Sequence, residues 1–100
     1  MRLKKQEIEA IKNVTKAIFG ENAIIRLFGS RTDDSQKGGD IDLFIYCNRM
    51  ISRSEQYQLK IKFLVQLKKI IGDQKIDVLI DAELRPKSFF QAIKNEGILL

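Results

Sequence analysis

The chain has 100 residues, 44% of them apolar, and this length predicts one domain with one compact core and no second domain for recognising a base or a polymer. It has no histidine and one cysteine, Cys47, which excludes a histidine general base, a Cys/His zinc site, a Ser-His-Asp triad and an internal disulfide. The formal charge of +5 suits an anionic partner such as ATP, RNA or an acidic protein surface, without identifying one.

The first half of the chain predicts one helix and two strands. Apolar residues at spacings of three and four predict an amphipathic helix over Lys4–Phe19, which Gly20 closes. The run Ala23–Phe28 is rich in β-forming residues and predicts the first strand. The polar stretch Arg31–Gly39 predicts a loop, and Ile41–Tyr46 predicts the second strand.

The second half predicts a long helix, a third strand and a last helix. The long helix begins at a capping box formed by Ser52–Glu55 and ends at Gly72. Its apolar stripe is predicted to face the core and consists of Tyr57, Ile61, Leu64, Leu67 and Ile71. Lys75–Ile80 predicts the third strand, and Pro86 suits the first turn of a final helix that runs to Gly97.

The predicted order α-β-β-α-β-α is typical of an α/β (α+β) protein in which a small mixed sheet is flanked by helices. No repeat, linker or low-complexity tract interrupts it, so residues 1–100 are predicted to form a single domain. The sequence contains no signal-peptide core and no apolar run of membrane length, which favours the cytoplasm. Cys47 is expected to pack in the core with an unreactive thiol. Tyr46 and Tyr57 are expected to pack in the core rather than to be modified.

Two aspartates begin the second predicted strand. Asp40 and Asp42 are two residues apart, so in a strand they project from the same face. Two carboxylates so placed repel each other unless a hard cation such as Mg²⁺ binds between them. Taken singly, Asp40 is better explained as a turn residue after Gly39, and Asp42 as an exposed strand residue.

A third aspartate, Asp77, lies in the apolar third strand between Ile76 and Val78. Aspartate is seldom buried without a partner, although an exposed strand edge tolerates it. If the third strand lies beside the second, Asp77 faces Asp40 and Asp42. The three carboxylates are then candidates for the catalytic residues and metal ligands of a two-Mg²⁺ site, which activates an attacking oxygen and stabilises a leaving pyrophosphate.

Gly29 and Ser30 follow the first strand and predict a phosphate-binding turn. Glycine lets the backbone approach a ligand, and a turn that opens into a helix points N–H groups at anions. Arg31 is placed to bind phosphate oxygens with its planar guanidinium, and Lys37 is a weaker second candidate. In isolation, an ordinary strand-ending turn is the better explanation of Gly29 and Ser30. The sequence has neither a P-loop nor a G-x-G-x-x-G motif.

Taken in order, these motifs resemble those of the DNA polymerase β-like nucleotidyltransferase superfamily. The matching segments carry a Gly-Ser, an Asp-x-Asp and a third Asp, and are Leu27–Arg31, Gly38–Leu43 and Ile76–Val78. The resemblance implies the polymerase β-like fold, Mg²⁺ as cofactor, and transfer of a nucleotide from a nucleoside triphosphate such as ATP to a hydroxyl. The length of the chain and the segment Phe90–Leu100, which looks like a C-terminal helix, resemble the minimal nucleotidyltransferases in particular.

Minimal nucleotidyltransferases are often encoded beside a small all-helical HEPN protein. The resemblance implies that this chain is the antitoxin of such a pair and adds AMP to a tyrosine of the HEPN partner. Nine residues separate Ser30 from Asp40, one fewer than is usual in the antitoxin group, and this departure concerns the subgroup rather than the superfamily.

Two other classes of function stay open. One is an antitoxin that neutralises its partner by occlusion, with no catalysis. The other is a nucleic-acid-binding module driven by positive charge, which is disfavoured because the chain has few aromatic residues for exposed faces and no nucleic-acid motif. Self-association is compatible with all of these hypotheses.

Overall fold

The computed structural model describes residues 3–28 and 41–100. Its elements, in chain order, are α1 (Lys5–Phe19), β1 (Ile24–Phe28), β2 (Ile41–Tyr46), α2 (Arg53–Ile71), β3 (Ile76–Asp81), α3 (Lys87–Ala92) and β4 (Ile98–Leu99). The first five lie where the sequence predicts them, whereas α3 is shorter than predicted and β4 is an additional strand. None of the helices in these two described ranges is both long and apolar enough to span a membrane.

The four strands form one mixed sheet in the order β3-β2-β1-β4. β2 and β3 are parallel and are connected through α2, whereas β1 is antiparallel to both β2 and β4. The predicted fold class, a small mixed sheet flanked by helices, is confirmed. β3 also lies beside β2, which is the arrangement that would bring the predicted aspartates together.

One face of the sheet packs against α1 and α2 and forms the core. Its strand residues alternate with a period of two and are Ile25, Leu27, Ile41, Leu43, Ile45, Ile76 and Val78. Ile11, Phe19, Phe63 and Leu67 of the helices are completely enclosed against them, and Cys47 joins the same core, as predicted. The intervening strand residues form what we term the second face: Arg26, Phe28, Asp42, Phe44, Tyr46, Asp77, Leu79 and Asp81.

The predicted apolar stripe of α2 is only partly correct. Leu67 is buried, but Tyr57 and Ile61 are 67% and 45% exposed, so the prediction that Tyr57 packs in the core is wrong. The centre of the buried surface is Phe63, which the predicted stripe omitted. Ile61 is two residues before Phe63, about 200° around the helix axis, and therefore faces away from the sheet. Tyr46 is buried, as predicted.

The C-terminal segment departs from the predicted helix. α3 ends at Ala92, and Ile98–Leu99 pairs antiparallel with Arg26 and Leu27 of β1. Gly97 has a φ of 66°, which turns the chain from the helix towards the strand. A Cβ at Gly97 would lie 2.6 Å from the carbonyl oxygen of Leu27, so the close approach of the two backbones requires glycine.

Arg26 holds this C-terminal segment on the sheet. Its side chain is buried, and its Nη1 donates hydrogen bonds to the carbonyl oxygens of Lys94 (3.0 Å) and Glu96 (3.2 Å). The Nε of Arg26 is buried without a hydrogen-bond partner among the described residues. The guanidinium thus donates hydrogen bonds to carbonyl oxygens just beyond α3, and these bonds stabilise the non-helical conformation of the chain after Ala92.

Candidate active site

The structure brings Asp42 and Asp77 together on the second face. They are register partners in the parallel pair formed by β2 and β3, and adjacent strands lie about 4.8 Å apart. Their side chains point to the same side because Leu43 and Val78, the next residues along each strand, point into the core. Asp77 is exposed, and Asp42 is partly buried. Their catalytic and metal-binding roles stay a prediction.

The remaining predicted site residues lie outside the described residues: Gly29, Ser30, Arg31, Asp40 and the weaker candidate Lys37. The strands that lead into and out of this segment are described, and both adjoin the acidic pair. Phe28, the last residue of β1, is the register partner of Asp42, and β2 begins at Ile41. The chain therefore leaves β1 and enters β2 beside Asp42.

A pocket of about 320 Å³ adjoins the two carboxylates, and the described residues that line it are Phe28, Asp42, Leu43, Phe44, Asp77 and Leu79. The ring centroids of Phe28 and Phe44 are 6.3 Å apart, with the rings tilted by 56°. Leu79 is 63% exposed although it is a large apolar side chain. The pocket is therefore amphipathic. The carboxylates lie at the end where β2 and β3 begin, with Phe28 beside Asp42, and the side chains of Phe44 and Leu79 lie two residues further along.

Sequence reasoning missed the three apolar residues of this pocket that lie on the second face, Phe28, Phe44 and Leu79. The signal that would have found them is the period of two in the strands. Phe44 and Leu79 each follow an aspartate by two residues and must share its face, and they are register partners of each other. Phe28 is found only from the antiparallel register of β1 and β2, which the sequence alone does not give.

The aromatic side chains of the second face continue from this pocket to α3. The rings of Phe44 and Tyr46 stack with centroids 4.6 Å apart and an interplanar angle of 10°. Tyr46 in turn contacts Phe89 and Phe90 of α3 edge-on, at 5.8 and 6.2 Å. Contacts within this aromatic cluster fix the orientation of Phe44, whose ring also lines the pocket.

The charged groups around Tyr46 have structural partners of their own. Burial raises the pKa of the Tyr46 phenol, and the carboxylates of Glu96 and Asp81 add to the increase. The guanidinium of Arg26 has the opposite effect on the same pKa. Asp81, the register partner of Tyr46, is bound by Arg85 in an ion pair of 3.1 Å. Asp81 therefore helps to hold the chain that follows β3 in place, and it is not part of the acidic pair formed by Asp42 and Asp77.

The acidic pair has the donor chemistry of a site for a hard cation. Within residues 3–28 and 41–100, no three acidic, cysteine or histidine side chains are grouped so as to hold a metal ion. Asp40, the third predicted ligand near Asp42, lies outside those ranges. Asp42 and Asp77 offer carboxylate oxygens on neighbouring strands, which are the ligands that Mg²⁺ prefers. The residues present are therefore compatible with Mg²⁺.

Comparison with known proteins identifies the family. Residues 6–100 match the model of a family described as polymerase beta, nucleotidyltransferase. A search of curated proteins found no match. The family match and the four-stranded mixed sheet agree in fold, and the match supports a function of the nucleotidyltransferase type. Because the match covers nearly the whole chain, the protein belongs to the polymerase beta nucleotidyltransferase family.

Proposed function

We propose that the chain is a Mg²⁺-dependent nucleotidyltransferase that moves AMP from ATP to a hydroxyl acceptor. The observation that carries this proposal is the register of β2 and β3, which sets Asp42 and the exposed Asp77 side by side on the second face. Because the chain belongs to the nucleotidyltransferase family, nucleotide transfer is the reaction that we assign to these carboxylates. The choice of ATP rests on the resemblance to the minimal nucleotidyltransferases.

The carboxylates of Asp40, Asp42 and Asp77 would hold the metal. When it is bound, Mg²⁺ neutralises charge on the phosphates and favours departure of pyrophosphate. The register of Asp42 and Asp77 supports this assignment, because two neighbouring carboxylates lose their mutual repulsion when a cation binds between them. Asp40 enters the set from its spacing of two residues from Asp42 in the sequence.

The other residues of the site position the two substrates. Gly29 and Ser30 bind the triphosphate through backbone N–H groups, and Arg31 binds its oxygens. Asp77 accepts the proton of the acceptor hydroxyl, whose oxygen then forms a bond to the α-phosphorus. The bond between the α-phosphorus and its bridging oxygen to the β-phosphate breaks in line with this attack, and pyrophosphate leaves. Positioning and charge stabilisation supply most of the acceleration in such transfers.

The acceptor in this proposal is a tyrosine of a partner protein, and the partner is a small helical HEPN-type toxin. The support for it is the resemblance of the motifs and of the chain length to the minimal nucleotidyltransferases. An exposed apolar stripe on α2, formed by Tyr57, Ile61 and Val65, also favours a partner surface. The same stripe favours a second candidate function, an antitoxin that blocks its partner by occlusion without catalysis.

A labelling experiment distinguishes catalysis from occlusion. The purified chain is incubated with Mg²⁺, ATP labelled at the α-phosphate, and a lysate that contains the partner. We expect a labelled protein band with the wild type, and a loss of labelling by roughly 100-fold or more with Asp42→Asn. Glu9→Gln is the matched control, because Glu9 is an exposed carboxylate on α1, which packs on the other face of the sheet.

Circular dichroism of both variants shows whether the fold is retained. Labelling that persists in folded Asp42→Asn contradicts the catalytic assignment. No labelling with any nucleoside triphosphate, combined with binding of the partner, favours occlusion.

A further inference from the structure

We infer that the pocket beside Asp77 binds the aromatic ring of the acceptor tyrosine and that Leu79 is the side chain that determines this specificity. The inference rests on the proposed function and identifies the residues that recognise its acceptor. It starts from one feature that the fold leaves without an explanation. Leu79 projects from the second face and is 63% exposed, two residues from the exposed carboxylate of Asp77.

The pocket has a volume and described lining residues that suit one aromatic ring. Its volume of about 320 Å³ is at the small end of ligand pockets, which suits a single side chain rather than a polymer end. Phe44 is the register partner of Leu79, so the two side chains lie next to each other across β2 and β3. The ring of Phe28 is tilted by 56° to that of Phe44 and closes the side towards β1. A ring placed here contacts two aromatic side chains and one aliphatic side chain.

The polar groups of the pocket match the hydroxyl of a phenol. The carboxylates of Asp42 and Asp77 lie at one end, with Phe28 beside Asp42, and Phe44 and Leu79 are the described side chains at the other end. A phenol has the same division, since its only polar atom is at the tip of the ring. With the ring on Leu79 and Phe44, the hydroxyl is directed to the carboxylates. A sugar hydroxyl is surrounded by other polar groups, and burying those against apolar side chains is unfavourable.

The position of the pocket in the sheet favours the acceptor over the nucleotide donor. β2 lies between β1 and β3, and the proposed phosphate-binding residues Gly29 and Ser30 follow β1 in the chain. Asp77 and Leu79 are on the opposite side, on β3, which is an edge strand of the sheet. A side chain from another protein reaches an edge strand without crossing the rest of the sheet. β2 therefore separates Asp77 and Leu79 from the strand that leads to the proposed phosphate-binding residues, and of that strand only the end residue Phe28 is among the described lining residues.

The test compares Leu79→Asn with Leu84→Asn. Leu84 is 71% exposed and follows β3 outside the pocket, so it controls for replacing an exposed leucine by a polar residue. Binding of N-acetyltyrosinamide to the full chain is measured by NMR, without nucleotide. Transfer from labelled ATP to a tyrosine peptide is measured separately. Leu79→Asn should weaken binding and raise the KM for the peptide by about tenfold, with kcat nearly unchanged. Leu84→Asn should change neither.

The possible outcomes separate this inference from the proposed function. Binding of the phenol at Leu79 without any transfer supports the pocket assignment and contradicts the proposed enzyme. Transfer that is equally efficient in wild type and Leu79→Asn overturns the pocket assignment and leaves the enzyme in place. If adenosine, but not N-acetyltyrosinamide, perturbs the Leu79 and Phe44 resonances, the pocket binds the donor base and the inference is wrong. Absence of binding by both probes also overturns it.

Discussion

Asp42 and Asp77 lie side by side on the parallel strands β2 and β3, so that two carboxylates share one end of the second face. Like charges directly opposite each other on neighbouring strands are destabilising. The sheet nevertheless places them there, beside a pocket whose other described lining residues are apolar. A local arrangement that opposes folding is expected where a site serves binding or catalysis, because function and stability then favour different residues.

Removing one of the two charges should therefore increase stability while abolishing activity. Asp77→Asn relieves the repulsion, and in the presence of EDTA its Tm should be higher than that of the wild type by up to about 5 °C. Mg²⁺ should stabilise the wild type more than the variant and narrow this difference. Thermal unfolding followed by circular dichroism measures both effects, with Glu9→Gln as the control. A lower Tm for Asp77→Asn, or equal stabilisation of both proteins by Mg²⁺, contradicts the interpretation.

Arg26 should be important for stability through its two hydrogen bonds to the chain after α3. Arg26→Met retains much of the apolar stem but leaves the carbonyl groups of Lys94 and Glu96 without their donor. We expect a decrease of about 1–3 kcal/mol in the free energy of unfolding, measured with urea. Amide exchange at Leu100, whose N–H donates to the carbonyl of Ile25, should become faster.

A matched substitution controls for the loss of a positive charge as such. Arg53→Met changes an exposed arginine on α2 and should alter the free energy of unfolding by less than about 0.5 kcal/mol. If the two variants are equally stable, the hydrogen bonds of Arg26 do not hold the C-terminal segment. Unchanged exchange at Leu100 in Arg26→Met leads to the same conclusion.

Gly97 and Gly72 provide a controlled comparison of backbone strain and steric contact. Both have positive φ, 66° and 92°, but a Cβ at Gly72 meets nothing within 4 Å, whereas one at Gly97 lies 2.6 Å from the carbonyl oxygen of Leu27. Gly97→Ala should therefore destabilise the protein by at least about 1 kcal/mol more than Gly72→Ala. Urea unfolding of the two variants measures the difference. Equal destabilisation would show that the backbone near Gly97 and Leu27 shifts to accommodate the Cβ without any further loss in the free energy of unfolding.

The element order and the positions of the aspartates on strands could be predicted from the sequence because both depend on local patterns. The apolar runs that contain Asp42 and Asp77 have the length and composition of strands, and the structure has strands there. The helix between β2 and β3 is compatible with parallel pairing, since a long crossover is what parallel neighbours need. Local sequence patterns are therefore sufficient to place Asp42 and Asp77 on strands, whereas the adjacency of the two strands was a condition of the prediction that the structure fulfils.

The features that escaped prediction depend on contacts between distant segments. β4 forms because Gly97 allows a close approach to Leu27, a contact between residues 70 positions apart in the chain (97 − 27). The rotation of α2 about its axis depends on Phe63 packing against Phe19 of α1, with ring centroids 5.8 Å apart. The apolar spacing along α2 is compatible with more than one such rotation. Local patterns do not select among these arrangements, and tertiary packing does.

The rotation of α2 can be tested with two alanine substitutions on the same helix. Leu67→Ala creates a cavity in the enclosed core and should decrease the free energy of unfolding by about 2–5 kcal/mol. Ile61→Ala removes a side chain that is 45% exposed and should have less than half of that effect. Urea unfolding measures both. Comparable losses would show that Ile61 faces the core, as the predicted stripe required, and would contradict the observed orientation of the helix.

Cys47 should make the stability of the protein depend on pH in the alkaline range. Burial raises the pKa of its thiol; Arg49 acts against this increase and Asp81 adds to it. Because the folded pKa is higher than the unfolded one, folding favours the neutral thiol. The contribution of the thiol to stability is then fully present below about pH 8.5, the ordinary cysteine pKa, and is lost as the pH rises through the higher folded value.

Cys47→Ala isolates this contribution from other alkaline effects. The difference in the free energy of unfolding between wild type and Cys47→Ala should be largest near neutral pH and smaller at about pH 10. The tyrosines and lysines are common to both proteins, so their titration cancels in this difference to a first approximation. Alkylation by iodoacetamide gives a second measurement, since only the thiolate reacts, and native protein should react far more slowly than protein unfolded in urea. A pH-independent difference combined with rapid native alkylation would show that the thiol of Cys47 is accessible and already ionises with an ordinary pKa in the folded state.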